Sequence, residues 1–177
     1  SMNSTPGMNN IKDGYSRLFI NEFSAGDPSK NQTAHYDEGN WVELFNYNEY
    51  ELDVGGLYMT NDLNYPNKYW IPDTSPQKTT IPPMGYLLMW SDNMYGEDAL
   101  HMNFTLAQDG MQIGLARKVN HEYLYIDTLV YTYQSNHVST GRIKDGANTW
   151  TNFTSPTPGR SNTSSITAAP SREVTDF

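Results

Sequence analysis

One stretch near residue 40 constrains the fold of this chain more than any other. In Trp41–Asn46, Val42 and Leu44 share one side of an alternating pattern. Trp41 and Phe45 lie on the other side. Because successive side chains of a strand point to opposite faces of a sheet, both faces of this strand carry apolar residues. The stretch therefore predicts a central strand that is covered on both sides.

The rest of the chain is interrupted by turn-forming residues at short intervals. Its 177 residues include 10 Pro and 13 Gly, together with 13 Tyr, 6 Phe and 4 Trp. Aromatic residues favour pleated, half-buried surfaces, while proline and glycine mark turns. No long helical periodicity is present. This pattern predicts an all-β domain, a β-sandwich of about nine short strands.

The first strand contains a conflict in its alternation. Leu18 and Ile20 share one face, and strict alternation would place the carboxylate of Glu22 on that same apolar face. An extra residue in the strand would remove the conflict. The sequence therefore predicts a β-bulge near Asn21 and Glu22, or a carboxylate that has a structural use.

Further elements follow from the same signals. Tyr69–Pro72 is predicted as a short edge strand that ends at proline, and Tyr123–Tyr133 as the longest strand. The segment His101–Leu106 is predicted as a strand. The Asp-Gly steps in Gln108–Gly110 and at Asp145-Gly146 predict hairpin turns.

The composition also predicts the domain boundaries. Residues 1–15 are polar and are expected to form a flexible lead-in, in which Ser1-Met2 resembles a cloning remnant. Residues 16–162 carry the strand pattern and are expected to form one sandwich domain. Residues 163–177 are rich in Ser, Thr, Ala and Pro, which predicts a linker or tail.

Charge and cysteine content exclude several classes of function. The net charge of −9 lacks the basic footprint that nucleic-acid binding needs, and it disfavours anionic membranes. The chain has no cysteine, which excludes a disulfide framework, thiol catalysis and zinc–thiolate sites. No apolar run approaches the ~18–20 residues of a membrane span, and no signal peptide is visible.

The motifs of residues 17–162 resemble, in their order, those of a known family. The matching pieces are Phe19–Phe23, Trp41–Asn46, Val54–Thr60, Trp70–Pro72, Thr80–Tyr86, His101–Phe104, Gly110–Leu115 and Ser155–Asn162. Together they resemble the lamin-tail domain, an immunoglobulin-like sandwich found in nuclear lamins and in bacterial exported proteins. The closing motif Pro156–Asn162 resembles the bacterial version.

The resemblance implies more about fold than about activity. The family has no catalytic residues to carry over, and its members resemble accessory modules beside other domains. We therefore expect a non-catalytic interaction or scaffold module of an exported bacterial multidomain protein. It would be secreted, periplasmic or on the cell surface, with flanking domains, no required cofactor, and a protein or glycan as its partner.

Glu22 and Glu43 are the carboxylates that invite a catalytic interpretation. A glycosidase would need two carboxyl groups roughly 5–9.5 Å apart across a groove. The alternative is that each accepts backbone N–H groups and fixes the ends of the sandwich. We favour this structural role for both glutamates, and equally for Trp41 and Asn46, because all four lie in motifs that define the fold.

Two further groups of residues are candidate binding sites. The first is a set of aromatic residues in loops that could stack on sugars, or could instead pack over the sheet edge: Tyr65, Tyr69, Trp70 and Tyr95. The second is an acidic loop whose oxygens could hold Ca²⁺, or could simply be solvated: Asp27, Asp37 and Glu38. These sites would make the domain a carbohydrate-binding module or a calcium-stabilised adhesion domain.

Overall fold

The computed structural model describes residues 13–27 and 39–168, with side chains up to residue 165. This part of the chain contains eleven strands and three short helices. The helices are a 3₁₀ helix (Gly14–Arg17), α1 (Pro76–Thr79) and α2 (Thr163–Ala168). The strands are β1 (Leu18–Ser24), β2 (Trp41–Asn46), β3 (Leu52–Asp53), β4 (Tyr58–Thr60), β5 (Tyr69–Trp70), β6 (Thr80–Ile81), β7 (Tyr86–Trp90), β8 (Gly110–Val119), β9 (Glu122–Thr132), β10 (Ser139–Arg142) and β11 (Trp150–Phe153).

The strands form two large antiparallel sheets and one small pair. The five-stranded sheet has the order β11-β10-β1-β2-β7, the four-stranded sheet has the order β5-β4-β8-β9, and β3 pairs with β6. The predicted all-β immunoglobulin-like sandwich is confirmed. The structure has eleven strands where about nine were expected, and three of them, β3, β5 and β6, contain only two residues each.

A single apolar core joins the two sheets. Ile20 and Leu44 from the five-stranded sheet belong to the same buried cluster as Met59 and Ile113 from the four-stranded sheet. As predicted, β2 is an interior strand, between β1 and β7, and all six of its residues are buried. The predicted edge strand at Tyr69 and the predicted longest strand are also confirmed as β5 and β9.

The predicted bulge in β1 is confirmed. Ile20 pairs with Leu44, but Glu22 pairs with Glu43, so β1 contains one residue more than β2 over this interval. The extra residue moves Glu22 away from the core face and lets Phe23 enter the core. The bulge therefore removes the conflict in the alternation, because only apolar side chains of β1 remain on the core face.

The predicted strand at His101–Leu106 is wrong. This segment makes only isolated bridges, from His101 to Trp90 and from Thr105 to Asp92. Met102, Phe104 and Leu106 are nevertheless buried in the core. The alternate apolar side chains of this segment therefore belong to the core, but the backbone has no continuous strand beside it.

One predicted hairpin turn is wrong and the other is confirmed. Gln108–Gly110 leads from a loop into β8, whereas the β8–β9 hairpin turns at Asn120 and His121. A Cβ on Gly110 would lie 2.7 Å from the carbonyl oxygen of Tyr131, so glycine is needed there for close approach to β9. The turn at Asp145-Gly146 connects β10 and β11 as predicted.

The folded part extends past both predicted boundaries. The 3₁₀ helix Gly14–Arg17 begins inside the predicted lead-in, and Tyr15 packs against the core. At the other end, α2 occupies the start of the predicted tail, where Ser165 is buried and donates to the carbonyl oxygen of Ser155 at 2.9 Å. The remainder of both predicted ends, residues 1–12 and 169–177, lies outside the described residues.

Candidate functional site

The two glutamates that suggested catalysis are fully buried. They are cross-strand partners on β1 and β2, on the face turned away from the core. Glu22 accepts the N–H of Thr157 at 2.9 Å and its hydroxyl at 2.6 Å. Glu43 accepts the N–H of Gly159 at 2.7 Å. The carboxylates therefore hold the segment after β11 against the five-stranded sheet, and no open groove separates them.

Burial perturbs the pKa of both carboxyl groups. It raises the pKa of Glu43 well above its ordinary value, and the neighbouring charge of Glu22 raises it further. Burial also raises the pKa of Glu22, although hydrogen bonds from Ser139 and Thr157 oppose this effect. The pair thus holds protons more tightly when folded than when unfolded.

Two asparagines and an aspartate complete this buried network. The side-chain amide of Asn162 donates to the carbonyl oxygens of Asn21 at 3.1 Å and Arg142 at 2.8 Å. Its backbone N–H donates to Asp145 Oδ1 at 2.9 Å. Tyr86 donates its hydroxyl to Asp145 Oδ2 at 2.6 Å. These contacts satisfy buried polar groups of four separate segments, which is a structural task.

Asn46 and Trp41 also lie inside the molecule. The amide of Asn46 donates to the carbonyl oxygens of Tyr50 at 2.8 Å, Ile81 at 3.1 Å and Pro82 at 3.1 Å. It thereby joins two loops at the end of the sandwich. Trp41 is completely buried, and its Nε1 has no hydrogen-bond partner within the described ranges.

Of the four aromatic residues that were predicted to bind sugar, three are exposed and one is buried. Tyr65 and Tyr95 are each 63% exposed and Trp70 is 45% exposed. Tyr69, in contrast, is buried in the core, and its hydroxyl donates to the carbonyl oxygen of Ala99 at 2.8 Å. The inclusion of Tyr69 in a sugar platform is therefore wrong, because β5 turns alternate side chains to opposite faces.

Only part of the predicted acidic loop can be described. Asp27 donates its N–H to Asn136 Oδ1 at 2.9 Å, while Asp37 and Glu38 lie outside the described residues. Within residues 13–27 and 39–168, no group of three or more His, Asp or Glu side chains is placed to hold a metal ion. The Ca²⁺ site stays a prediction.

A different feature, an open seam between the two sheets, was not predicted from the sequence. β9 is the last strand of the four-stranded sheet, and β11 is the last strand of the five-stranded sheet. Neither strand pairs on its outer side with another strand of the described chain. Val130 on β9 is 71% exposed. Residues of both strands line one cleft, so the two edges border the same side of the sandwich.

One end of the seam is closed by a buried ion pair. Arg142 Nη2 contacts Asp127 Oδ2 at 2.7 Å. The same two side chains bond the backbone of Ile20: Arg142 Nε donates to its carbonyl oxygen, and Asp127 accepts its N–H, both at 2.8 Å. The ion pair therefore takes the place of a neighbouring strand at Ile20 and joins the two sheets.

The other end of the seam is closed by Gln134, which follows β9 and is buried. Its amide donates to the carbonyl oxygen of Phe23 at 3.3 Å and to Thr140 Oγ1 at 3.0 Å. Its oxygen accepts the N–H of Ala25. These bonds fasten the end of β9 to β1 and β10.

A cleft of about 300 Å³ lies between these two closures. Phe23, Tyr131 and Trp150 provide aromatic walls, and the rings of Phe23 and Tyr131 are 4.8 Å apart. The lining residues are Phe23, Leu129, Val130, Tyr131, Thr132, Tyr133, Thr140, Trp150 and Asn152. We name this feature the β9 cleft; none of its lining residues carries a charge.

Sequence reasoning could have found one signal for the β9 cleft. The segment 128–133, at the end of the longest strand, is an uncharged run of apolar and hydroxyl residues. Natural edge strands are usually protected by charges, so an uncharged run becomes a signal once the strand is known to lie at an edge. That knowledge requires the tertiary pairing of the strands.

The architecture and the comparisons agree on the class of this protein. Two antiparallel sheets around one core define an immunoglobulin-like β-sandwich. A family model described as Lamin Tail Domain matches residues 12–133, more than half of the chain. The chain belongs to the lamin tail domain family, whose domains are generally non-catalytic. No curated protein and no solved structure matches the chain.

Proposed function

We propose that this domain is a non-catalytic interaction module that binds a partner along the edge of β9. The observation that carries the proposal is the open edge at residues 128–133, where the protective charges of ordinary edge strands are missing. Addition of an extended segment to such an edge is an established mode of recognition, with affinity from main-chain hydrogen bonds.

The absence of a catalytic role is part of the same proposal. The most suggestive acids, Glu22 and Glu43, are buried and already accept backbone N–H groups. The membership in a generally non-catalytic family supports the same conclusion. The net charge of −9 argues against nucleic acid as a partner. Among the described residues, no helix is long and apolar enough to cross a bilayer.

The biological context that we propose is an exported bacterial multidomain protein. The motif Pro156–Asn162, which resembles the bacterial version of the family, supports this context. The hydrogen bonds of Thr157 to Glu22 and of Gly159 to Glu43 attach this motif to the five-stranded sheet. The domain would then work outside the cytoplasm, secreted, periplasmic or on the cell surface, as an accessory to flanking domains.

Selection of phage-displayed random peptides against the domain tests the interaction role. We expect peptides to be enriched on the wild type and on Leu124→Lys, but not on Val130→Lys. Both variants place the same charge on exposed positions of β9, but Leu124 does not line the β9 cleft. Equal enrichment on Val130→Lys would assign binding to another surface.

Carbohydrate binding is the second candidate function, supported by the exposure of Trp70, Tyr65 and Tyr95. A neutral sugar tolerates the acidic surface, and exposed aromatic rings are suitable for stacking on it. A glycan array, with Trp70→Ala as the paired variant, tests this candidate. A glycan that binds the wild type and loses binding with Trp70→Ala would support it.

The calcium-stabilised adhesion domain is the remaining alternative, and it depends on Asp27, Asp37 and Glu38. Calcium at 100 times its Kd would stabilise the fold by about 2.7 kcal/mol. Comparison of the melting temperature in calcium and in chelator tests this alternative. Equal melting temperatures would remove it.

A further inference from the structure

We infer that the β9 cleft accepts one extended strand from a separate polypeptide, with an uncharged core of alternating apolar and hydroxyl residues and with basic residues at both ends. This inference rests on the proposed interaction function and specifies the chemistry of the partner. In this arrangement the partner strand fills the seam between β9 and β11. It pairs with β9 and places every second side chain between the sheets.

The backbone of β9 is oriented for such pairing. The two-residue turn makes its closing pair hydrogen-bonded, so alternation along β8 directs the main-chain groups of Leu129 and Tyr131 at their register partners on β8. The main-chain groups of a strand alternate between its two edges, so those of Val130 and Thr132 point outward together with Thr128. These three residues are exposed, while Leu129 and Tyr131 between them are half-buried against the core.

The two closures determine the length of the segment that can bind. The ion pair of Asp127 with Arg142 closes one end, and the hydrogen bonds of Gln134 close the other. The open edge between them comprises residues 128–133. At about 3.3 Å per residue, six residues span roughly 20 Å, so the partner pairs over a segment of about six residues.

The lining of the β9 cleft specifies the core of the partner strand. The aromatic walls of Phe23, Tyr131 and Trp150 favour apolar side chains at alternate positions. The hydroxyl groups of Thr132 and Thr140 and the amide of Asn152 give the cleft a polar rim. A charged side chain would lose its hydration without gaining a counter-charge, because all nine lining residues are uncharged.

Charge complementarity specifies the ends of the partner strand and distinguishes it from a second copy of this chain. The chain carries a net charge of −9, so two copies would repel each other on approach. Lysine or arginine residues beside an uncharged core would instead be attracted, and would lie outside the cleft in solvent. Such attraction increases the association rate and weakens with salt.

Defined synthetic peptides test this inference. The probe has the core Thr-Val-Thr-Val-Thr-Val with two lysines at each end. One control replaces the lysines with glutamates, and the other carries N-methyl groups on alternate core amides, which removes the donors for strand pairing. Binding is measured by calorimetry at low and at physiological salt, and amide hydrogen exchange of residues 124–134 is followed with and without each peptide.

We expect the lysine-flanked peptide to bind at least tenfold more tightly than either control and to slow the exchange of Val130 and Thr132. Leu124→Lys should preserve this binding and Val130→Lys should weaken it. Equal binding of the N-methylated peptide would overturn strand pairing, and equal binding of the glutamate-flanked peptide would overturn the basic ends. A concentration-dependent dimer whose β9 amides are protected without peptide would assign the seam to a second copy.

The outcomes also separate this inference from the proposed function. Phage peptides that require Val130 but have acidic ends or charged cores would preserve the interaction role and overturn the partner chemistry. If Val130→Lys leaves binding unchanged in the phage selection and in the peptide titrations, the proposed function and this inference are both overturned.

Discussion

At the scale of single residues, the face of β2 that is turned away from the apolar core carries aromatic and polar side chains. Another segment of the chain covers that face. Trp41 and Glu43 lie on the face of β2 that is turned away from the apolar core, yet both are fully buried. The segment after β11 covers this face, and Glu43 accepts its N–H group at Gly159. Alternation predicted which residues share a face, but the residues that cover the outer face come from a segment more than 100 positions away.

Replacement of Trp41 by alanine tests how much this covered face contributes to stability. We expect Trp41→Ala to lower the free energy of unfolding by about 3–5 kcal/mol, because a completely buried indole leaves a large cavity. Urea denaturation measures the change. Trp70→Ala is the matched control, with an expected change within about 0.5 kcal/mol since Trp70 is 45% exposed. Similar losses for both variants would contradict this interpretation.

Replacement of Glu43 by glutamine should lower stability. The amide nitrogen of glutamine would face a donor, either the side chain of Asn21 or the N–H of Gly159. One buried donor would then lose its acceptor, at a cost of about 1–3 kcal/mol. A lost activity with unchanged melting would instead point to a catalytic role of Glu43.

The same variant should also change the pH dependence of stability. Because the folded state raises the pKa of Glu43, the stability that its proton contributes is fully present below the ordinary value of 4.5. This contribution is lost as the pH rises through the raised value. Glu43→Gln should therefore show a smaller decrease of unfolding free energy with rising pH. Urea denaturation across this pH range measures both slopes, and equal slopes would contradict the assignment.

At the scale of elements, the β8–β9 hairpin determines where the open edge lies. Its two-residue turn places Asn120 and His121 at φ values of 48° and 69°. This conformation matches the twist of paired strands but favours glycine, especially at the second position. The sequence carries histidine at that position, so the turn signal was weak. The Asp-Gly step at Asp109-Gly110 gave the stronger but misleading signal.

Replacement of His121 by glycine should therefore stabilise the hairpin. The left-handed conformation costs a non-glycine residue about 1–3 kcal/mol, and glycine would remove this cost. The gain exceeds the entropic cost of ordering glycine on folding, which is about 0.5–1 kcal/mol. We expect the urea midpoint to rise, with an unchanged dependence on urea concentration. Lys118→Gly, in the adjacent strand, should instead lower the midpoint, because glycine weakens a strand interior.

At the scale of the whole molecule, the two sheets are joined by side chains as well as by the core. Arg142 contacts Asp127 of the other sheet and the backbone of Ile20, and its guanidinium lies 4.6 Å from the ring of Trp150. These contacts close one end of the β9 cleft. The stability of the sandwich and the size of the cleft are thus coupled through one buried cation.

Replacement of Arg142 by methionine tests how much this buried cation contributes to stability. The variant leaves Asp127 buried without its partner, which should cost about 3–5 kcal/mol. The matched control is Arg117→Met, since Arg117 pairs with Asp13 at the same 2.7 Å distance but at a more exposed site. We expect about 0–1 kcal/mol for this control. Thermal and urea unfolding measure both, and equal losses would contradict the assigned role of Arg142.

The sequence by itself determined the local properties of this protein. Alternation of side chains identified the covered strand β2 and the bulge in β1, because each depends on the order of neighbouring residues. The order of motifs indicated the lamin-tail family before the family model matched residues 12–133.

Only the tertiary structure decided which segments lie side by side. In the folded chain β9 lies at a sheet edge and Tyr69 is buried in the core. The segment His101–Leu106 does not pair as a continuous strand. The segment after β11 lies over Glu22 and Glu43. The physical reason is that strand pairing joins distant segments through backbone groups common to all residues. The β9 cleft exists because two such edges remain unpaired on one side of the sandwich.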